Sequence, residues 1–342
     1  MKRITKIVCT LGPASNKKEI ISKMMDAGMD YARLNMSHGT VDSQQKIVDE
    51  LADLRRERGL KLMVDTKGPE MRIGTFKDGQ IELKAGDVFT FTTNEVVGNE
   101  NIVSLKYKNL VNEVKVGDKI FANNGRIVLI VGHITDTDIA CKVEFGGVLS
   151  NNKGLNVPNV VPSTPYISPA DELDLKFAIK NNAELLALSF VSCAQNIRDV
   201  KEFLTQNGGK NIKLIAKIEN ASGVENIEEI LDVCDGVMVA RGDLGVEIPL
   251  EKIPPIQKKL ISLCNVKRKF CIVATEMLES MISSTRPTRA EVNDVANAIY
   301  EEASATMLSG ETAAGIDPVN VVVTMTKIIL ETEKHIYGVS VL

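Results

Sequence analysis

No uninterrupted apolar stretch of the 342-residue chain approaches the roughly 18 residues of a membrane span. The opening MKRITKIVCTLG also lacks the apolar core and cleavage site of a signal peptide. Both absences argue against a membrane or exported protein. The six cysteines, at 9, 141, 193, 234, 264 and 271, form no CxxC pair. A disulfide scaffold and a zinc ribbon are thereby disfavoured, and a reducing cytoplasm is the expected setting. With only His38, His133 and His335 available, neither a three-histidine metal site nor a Ser-His-Asp triad is expected. A GxxxxGK[ST] loop, a GxGxxG fingerprint and an HExxH helix are all missing. So is a dominant charge: 41 Lys+Arg stand against 45 Asp+Glu, a net −4, which argues against nucleic-acid coating and polybasic membrane binding.

What is present is ordinary in bulk and regular in detail. At 44% hydrophobic and 25% charged residues the chain reads as globular, and its length predicts about two domains. Eight short apolar runs end in polar residues or glycine: 4–12, 31–39, 61–68, 185–191, 213–220, 236–245, 270–277 and 305–312. They are continuously apolar, as parallel strands covered on both faces are. Between them lie amphipathic segments with helix signals: Asn16 before KKEIISKMMDA and Gly28 after it, Pro169 and Pro318 at helix starts. Six of the seven strand-to-strand intervals average about 30 residues, one βα unit each. Eight units predict an α/β fold of the (β/α)₈ TIM-barrel kind, formed by residues 1–68 and 163–342. The seventh interval, 124 residues, holds an insertion. Residues 69–162, with short alternating strands and DG, GD, NG and GG turns, predict an inserted antiparallel β-barrel after strand 3. Leaving the face where such barrels carry their sites, it would act as a lid hinged at Pro69 and Pro158/Pro162/Pro165.

Polar residues crowd the strand ends: Arg33, Asn35, Ser37 and His38; Asp65, Thr66 and Lys67; Lys217, Glu219 and Asn220; Arg241 and Asp243; Thr275 and Glu276; Ser309 and Glu311. Lys217 and Glu219 are two apart on one strand, so their side chains share a face. Glu219 with Asp243 suits Mg²⁺ or Mn²⁺, and Lys217 would then face a transferring phosphoryl group. A closed Lys–Glu ion pair at the barrel mouth is the alternative, equally supported by the spacing. Gly242 and Gly245 suggest either an anion site made of backbone N–H groups or a tight turn. Lys153, in a glycine-containing turn of the insert, is a candidate polyphosphate contact or a solvated lysine.

The strings KIVCTLGPAS, ARLNMSHGT, MVDTKGPEMR, LSNNKGLNVP, AKIEN, MVARGDLGVEIP, ATEMLESM and MLSGETAAG, in this order, closely resemble the pyruvate kinase family across essentially the whole chain. The resemblance implies a (β/α)₈ barrel with a β-barrel lid and phosphoryl transfer between phosphoenolpyruvate and ADP, giving pyruvate and ATP. It implies Mg²⁺ (or Mn²⁺) at Glu219 and Asp243, and K⁺ at Asn35, Ser37, Asp65 and Thr66, with Glu70 marking the K⁺ requirement. Arg33 and Lys217 would hold the phosphoryl group, Gly242 and Asp243 the substrate carboxylate, and Thr275 the water that protonates the enolate. His38, Arg72 and Lys153, with Asn35, would meet the nucleotide. Barrel faces can support a homo-oligomer in this family. The sequence departs from the family pattern in ending near the last barrel helix, without the usual C-terminal effector domain. It reads FANNGRI where IDDGLI is usual, so Asn123 and Asn124 replace two acids and a change in lid closure is expected. Glu276 adds a carboxylate beside Thr275, and Ala314 replaces a frequent basic residue. A metal-dependent pyruvate-enolate lyase and a non-catalytic kinase relative compete with the kinase reading.

Overall fold

The computed structural model describes residues 3–158 and 160–338. Eight parallel strands close into a barrel: β1 (Lys6–Thr10), β2 (Tyr31–Asn35), β3 (Lys61–Asp65), β4 (Leu185–Leu188), β5 (Lys213–Ile218), β6 (Gly236–Ala240), β7 (Phe270–Ala274) and β8 (Ala305–Leu308). β8 pairs with β1, Lys6 opposite Ala305, and leaves no free edge. The runs predicted from the sequence supply these strands. Their helices pack outside, burying a shell that includes Ile21, Met24, Leu51, Val200, Ile261, Val295 and Met325.

Inside the barrel, alternation decides the layers. Val8, Tyr31, Met63, Ala187 and Ile215 face one another in an apolar interior. Two residues further along the same strands the inward positions become Thr10, Arg33, Asp65, Ser189 and Lys217. All five are buried. The barrel therefore has an apolar floor and a charged ceiling.

Pro169 and Pro318 begin the helices Pro169–Lys180 and Pro318–Ile336, and Ser168 closes a capping box with Asp171. Asn16 is not a cap: the helix Lys18–Ala27 has Lys17 at that position and no side-chain cap.

Between β3 and β4 the described residues form nine short strands with a separate apolar core around Phe89, Phe91, Ile120, Leu129 and Val143. Seven make one curled sheet, and the other two, Gln80–Leu83 and Gly147–Ser150, pair with each other. The curl brings the sheet's edges together, Gly74 N–H donating to Ser104 O and Lys106 N–H to Arg72 O at 2.8 and 2.9 Å. One pair, Val88–Thr92 with Ile102–Ser104, is parallel, so the sheet is mixed where an antiparallel one was expected. A nine-residue connection separates these two strands, and at about 3.3 Å per residue it is long enough to run back along a strand of five. Among the described residues no helix is long and apolar enough to cross a membrane.

Candidate active site

The charged ceiling is one connected network. Arg33 Nε lies 2.7 Å from Asp65 Oδ2, and Arg33 Nη1 donates to Thr10 Oγ1 at 2.8 Å. Asp65 Oδ1 takes Lys217 Nζ at 2.9 Å. Lys217 also reaches Ser189 Oγ at 2.6 Å and Glu219 Oε1 at 3.1 Å. Glu219 Oε2 accepts the Phe190 N–H at 2.7 Å. Signs alternate along the row Arg33, Asp65, Lys217, Glu219, which is what allows four charges to be buried together. Burial would draw the Lys217 proton off, but Asp65 and Glu219 outweigh it, so the ammonium is held above its ordinary range. Burial would likewise raise Asp65, yet Arg33 and Lys217 hold it below the usual carboxylate value. Glu219 goes the other way, pushed up to about 7 by burial and by Asp243 despite Lys217.

That last shift marks where positive charge is short. Glu219 and Asp243 offer only carboxylate oxygens, and their mutual repulsion favours a cation between them, so the donor chemistry fits a divalent ion of the Mg²⁺ kind. Asn35, Ser37, Asp65 and Thr66 stand together at the ends of β2 and β3. Their donors are all oxygen with one formal charge, which suits a monovalent ion. Asn35 Oδ1 presently accepts the Ser37 N–H at 3.0 Å.

A second group lies at the β6 and β7 ends. β6 runs straight into the helix Arg241–Glu247. Gly242 N–H donates to Thr275 Oγ1 at 2.8 Å, so this N–H is engaged by the threonine. Thr275 and Glu276 have φ of 71° and 54°, and Phe190 has 56°. Left-handed backbone at a β-branched and an aromatic residue costs energy and tends to gather at functional sites. Glu276 is exposed and lines a cleft with Asn124, Gly242 and Glu247.

The insert supplies the third group. Arg72 is gripped by Glu70 at 2.6 Å and donates to Asn152 O at 2.8 Å, next to Lys153. The His38 imidazole, on an exposed residue, is pushed down by partial burial and then by Arg33, Arg72 and Lys153, which puts these cations around it. Glu70 is raised by burial, against Arg72 and with Asp243 adding to the rise. The insert also rests on the barrel: Asn156 Nδ2 donates to Glu247 Oε1 at 3.1 Å, and a methyl group on Gly125 would meet Val246 Cγ2 at 3.2 Å.

Asn123, Asn124 and Gly125 are all left-handed, at φ 52°, 57° and 77°. Asparagine tolerates that region best after glycine, so the two amides suit the turn's backbone, and Asn123 Nδ2 ties it to Val148 O at 3.2 Å. Without the two acids the turn still lies against the barrel, at Gly125 beside Val246.

Several strand-end residues have structural work instead. Lys67 Nζ pairs with Asp174 at 2.7 Å, Asn220 caps the helix Ala221–Glu225, and buried Glu311 accepts the N–H groups of Leu278 and Ser309. The sequence reading missed Ser189, which takes the Lys217 proton donor and passes its own to Thr66 O at 2.7 Å. The signal was available, since Ser189 is the next inward position after Ala187.

Comparison with known proteins agrees with this arrangement. The family description "Pyruvate kinase, barrel domain" matches residues 2–322. The pyruvate kinase of Clostridium perfringens is 43% identical over 335 residues, 97% of this chain and 71% of that protein. That of Geobacillus stearothermophilus is 46% identical over 338 residues, 98% of this chain and 58% of that protein. The crystal structure of a pyruvate kinase from Cryptosporidium parvum superposes with a TM-score of 0.91 at 40% identity, covering 97% of this chain and 70% of that one. The chain thus spans between 58% and 71% of the length of these relatives. With a charged barrel mouth, an insert seated over it and such similarity along nearly its whole length, the chain belongs to the pyruvate kinase family.

Proposed function

We propose that the chain transfers the phosphoryl group of phosphoenolpyruvate to ADP, giving pyruvate and ATP. In that reaction the P–O bond to the enol oxygen breaks, a P–O bond to the terminal phosphate of ADP forms, and the released enolate takes a proton at its methylene carbon. The observation that carries the reading is the buried Arg33–Asp65–Lys217–Glu219 row. It puts two fixed cations at the barrel mouth and holds Lys217 protonated, so Lys217 serves as a charge and not as an acid or base.

Arg33 and Lys217 would flank the phosphoryl group and stabilise the charge it carries in flight. The backbone around Gly242 and Asp243 would take the substrate carboxylate, and Thr275 would order the water that delivers the proton. His38, Arg72 and Lys153, with Asn35, would receive the nucleotide phosphates as the insert closes over the mouth. The insert, taken as residues 69–162, would serve as the lid of a barrel formed by residues 1–68 and 163–342. Glu219 and Asp243 would hold Mg²⁺ or Mn²⁺; Asn35, Ser37, Asp65 and Thr66 would hold K⁺, with Glu70 setting that requirement. Bound there, the divalent ion supplies Lewis-acid neutralisation of phosphoryl and carboxylate oxygens. A cytoplasmic location fits the free cysteines.

The test is ATP formation from phosphoenolpyruvate and ADP, with and without Mg²⁺ and K⁺. Activity requiring both supports the reading. Loss of ATP formation with enolate chemistry retained would instead indicate a lyase, and silence in both a binding protein.

A further inference from the structure

Arg241 stands at the end of β6, yet its guanidinium does not present a free charge to the cleft. Nη2 donates to Thr275 O at 2.6 Å and Nε to Ala274 O at 3.3 Å. Nη1 pairs with both oxygens of Asp294, at 2.8 and 2.7 Å, on the helix Arg289–Tyr300. The next residue, Gly242, gives its N–H to Thr275 Oγ1. Two consecutive residues of one strand end therefore grip the main-chain and the side-chain oxygen of Thr275. The gripped residue is the first of two consecutive left-handed ones. A β-branched residue there relaxes unless its surroundings over-determine it, and a charge-assisted bond to its carbonyl is a strong restraint. Thr275 Oγ1 also donates to Ala274 O at 2.6 Å, the carbonyl that Arg241 Nε approaches. The guanidinium thus controls the backbone from which the hydroxyl projects and shares the acceptor that the hydroxyl would leave on turning toward the cleft.

We propose that Arg241, fixed by Asp294, is a positioning residue for enolate protonation, acting through Thr275 and not on the phosphoryl group. The inference rests on the kinase reading above. In the step concerned, the enolate's electron pair forms a C–H bond, an O–H bond of the water ordered by Thr275 breaks, and solvent restores that proton. Arg241 changes no bond; it sets the hydroxyl that orders the water.

The experiment measures solvent-deuterium exchange into the methyl group of pyruvate, together with kcat and KM for phosphoenolpyruvate, in wild type and Arg241→Gln. Exchange and kcat are expected to fall by about 10- to 100-fold, less than most of the about 10²–10⁴ that a proton-transfer group contributes, because the group is misplaced and not removed. KM for phosphoenolpyruvate should stay within about threefold, because ground-state binding is untouched. Added to Thr275→Val, the Arg241 change should cost no more than about twofold, the mark of residues acting as one unit. Multiplicative losses, or a raised KM with unchanged exchange, would overturn the proposal. Should Arg241→Gln fail to fold, Asp294→Asn loosens the same guanidinium from outside; it should lower exchange in the same direction and again have no effect beside Thr275→Val. A wild type without ATP formation would overturn the kinase reading itself, whereas an active wild type with indifferent variants would overturn only the role of Arg241.

Discussion

The two ends of the barrel use carboxylates in opposite ways. At the N-terminal end they end-cap strands. Asp30 accepts the Ile7 N–H at 2.9 Å, Glu184 that of Leu62 at 2.7 Å, Asp235 that of Leu214 at 2.8 Å, and Glu333 that of Thr5 at 2.7 Å. The first three satisfy N–H groups of strand residues, and Glu333 satisfies one just before β1. At the C-terminal end Asp65 and Glu219 meet cations, and Asp243 adds to the unfavourable charge felt by Glu219 and by Glu70. One end resolves its charges within the fold, while the other leaves them concentrated under left-handed Phe190, Thr275 and Glu276. On the proposed function, stability and chemistry lie at different ends of the same strands, as the barrel architecture permits.

Substitutions can break or sharpen that contrast. The largest effect is expected at the chemical end: Lys217→Met should lower the phosphoryl-transfer rate by about 10²–10³ or more, as loss of an electrostatic stabiliser does. Wild-type turnover in the coupled assay would end the distinction between the two ends. At the other end Glu333→Ala strips an acceptor from the Ile4 and Thr5 N–H groups and should cost about 1–3 kcal/mol in denaturant unfolding, with turnover per folded molecule preserved. A drop in turnover without a loss of stability would contradict the assignment. Glu70→Lys should remove most of the activation by KCl, because the ammonium supplies the missing charge; it also frees Arg72, so the KM for ADP should rise. An unchanged KCl titration would count against the cation site.

The smallest effect is in pH. Burial, opposed by the Asn156 amide and helped by Asp243, pushes the Glu247 carboxyl up to about 7. The unfolded glutamic acid ionises near pH 4.3, so between there and about 7 the unfolded chain holds fewer protons than the native one. This contribution is full at low pH and is lost as pH rises through about 7. Glu247→Gln should flatten the stability profile over that window by at most one proton equivalent, read from unfolding at several pH values.

Much of this was legible before any coordinates. Parallel strands buried on both faces must be apolar throughout, which is why the runs at 31, 61, 185, 213, 236, 270 and 305 begin where the strands do. Arg33, Asp65 and Lys217 were legible as strand-end charges, and two-residue alternation brings Ser189 into the same layer. Harder to read were polar residues whose partners are remote in sequence. Asp174 for Lys67, Asp294 for Arg241 and Leu278 for Glu311 lie 107, 53 and 33 residues away. No local pattern separates such a clamp from a reactive group. The asparagines at 123 and 124 show the opposite difficulty: read as lost charge, they prove to be suited to a left-handed turn whose φ values no composition discloses.

The recurrence of eight apolar runs, most about 30 residues apart, determined that this chain forms a barrel, and two-residue alternation along each strand marks which positions share its interior. Which of those charges neutralise one another, which hold the backbone, and which remain short of a counter-ion was decided only on closure. Buried ionisation depends on distances of a few ångströms across strands that are far apart in the chain, and closing the barrel is what brings them together.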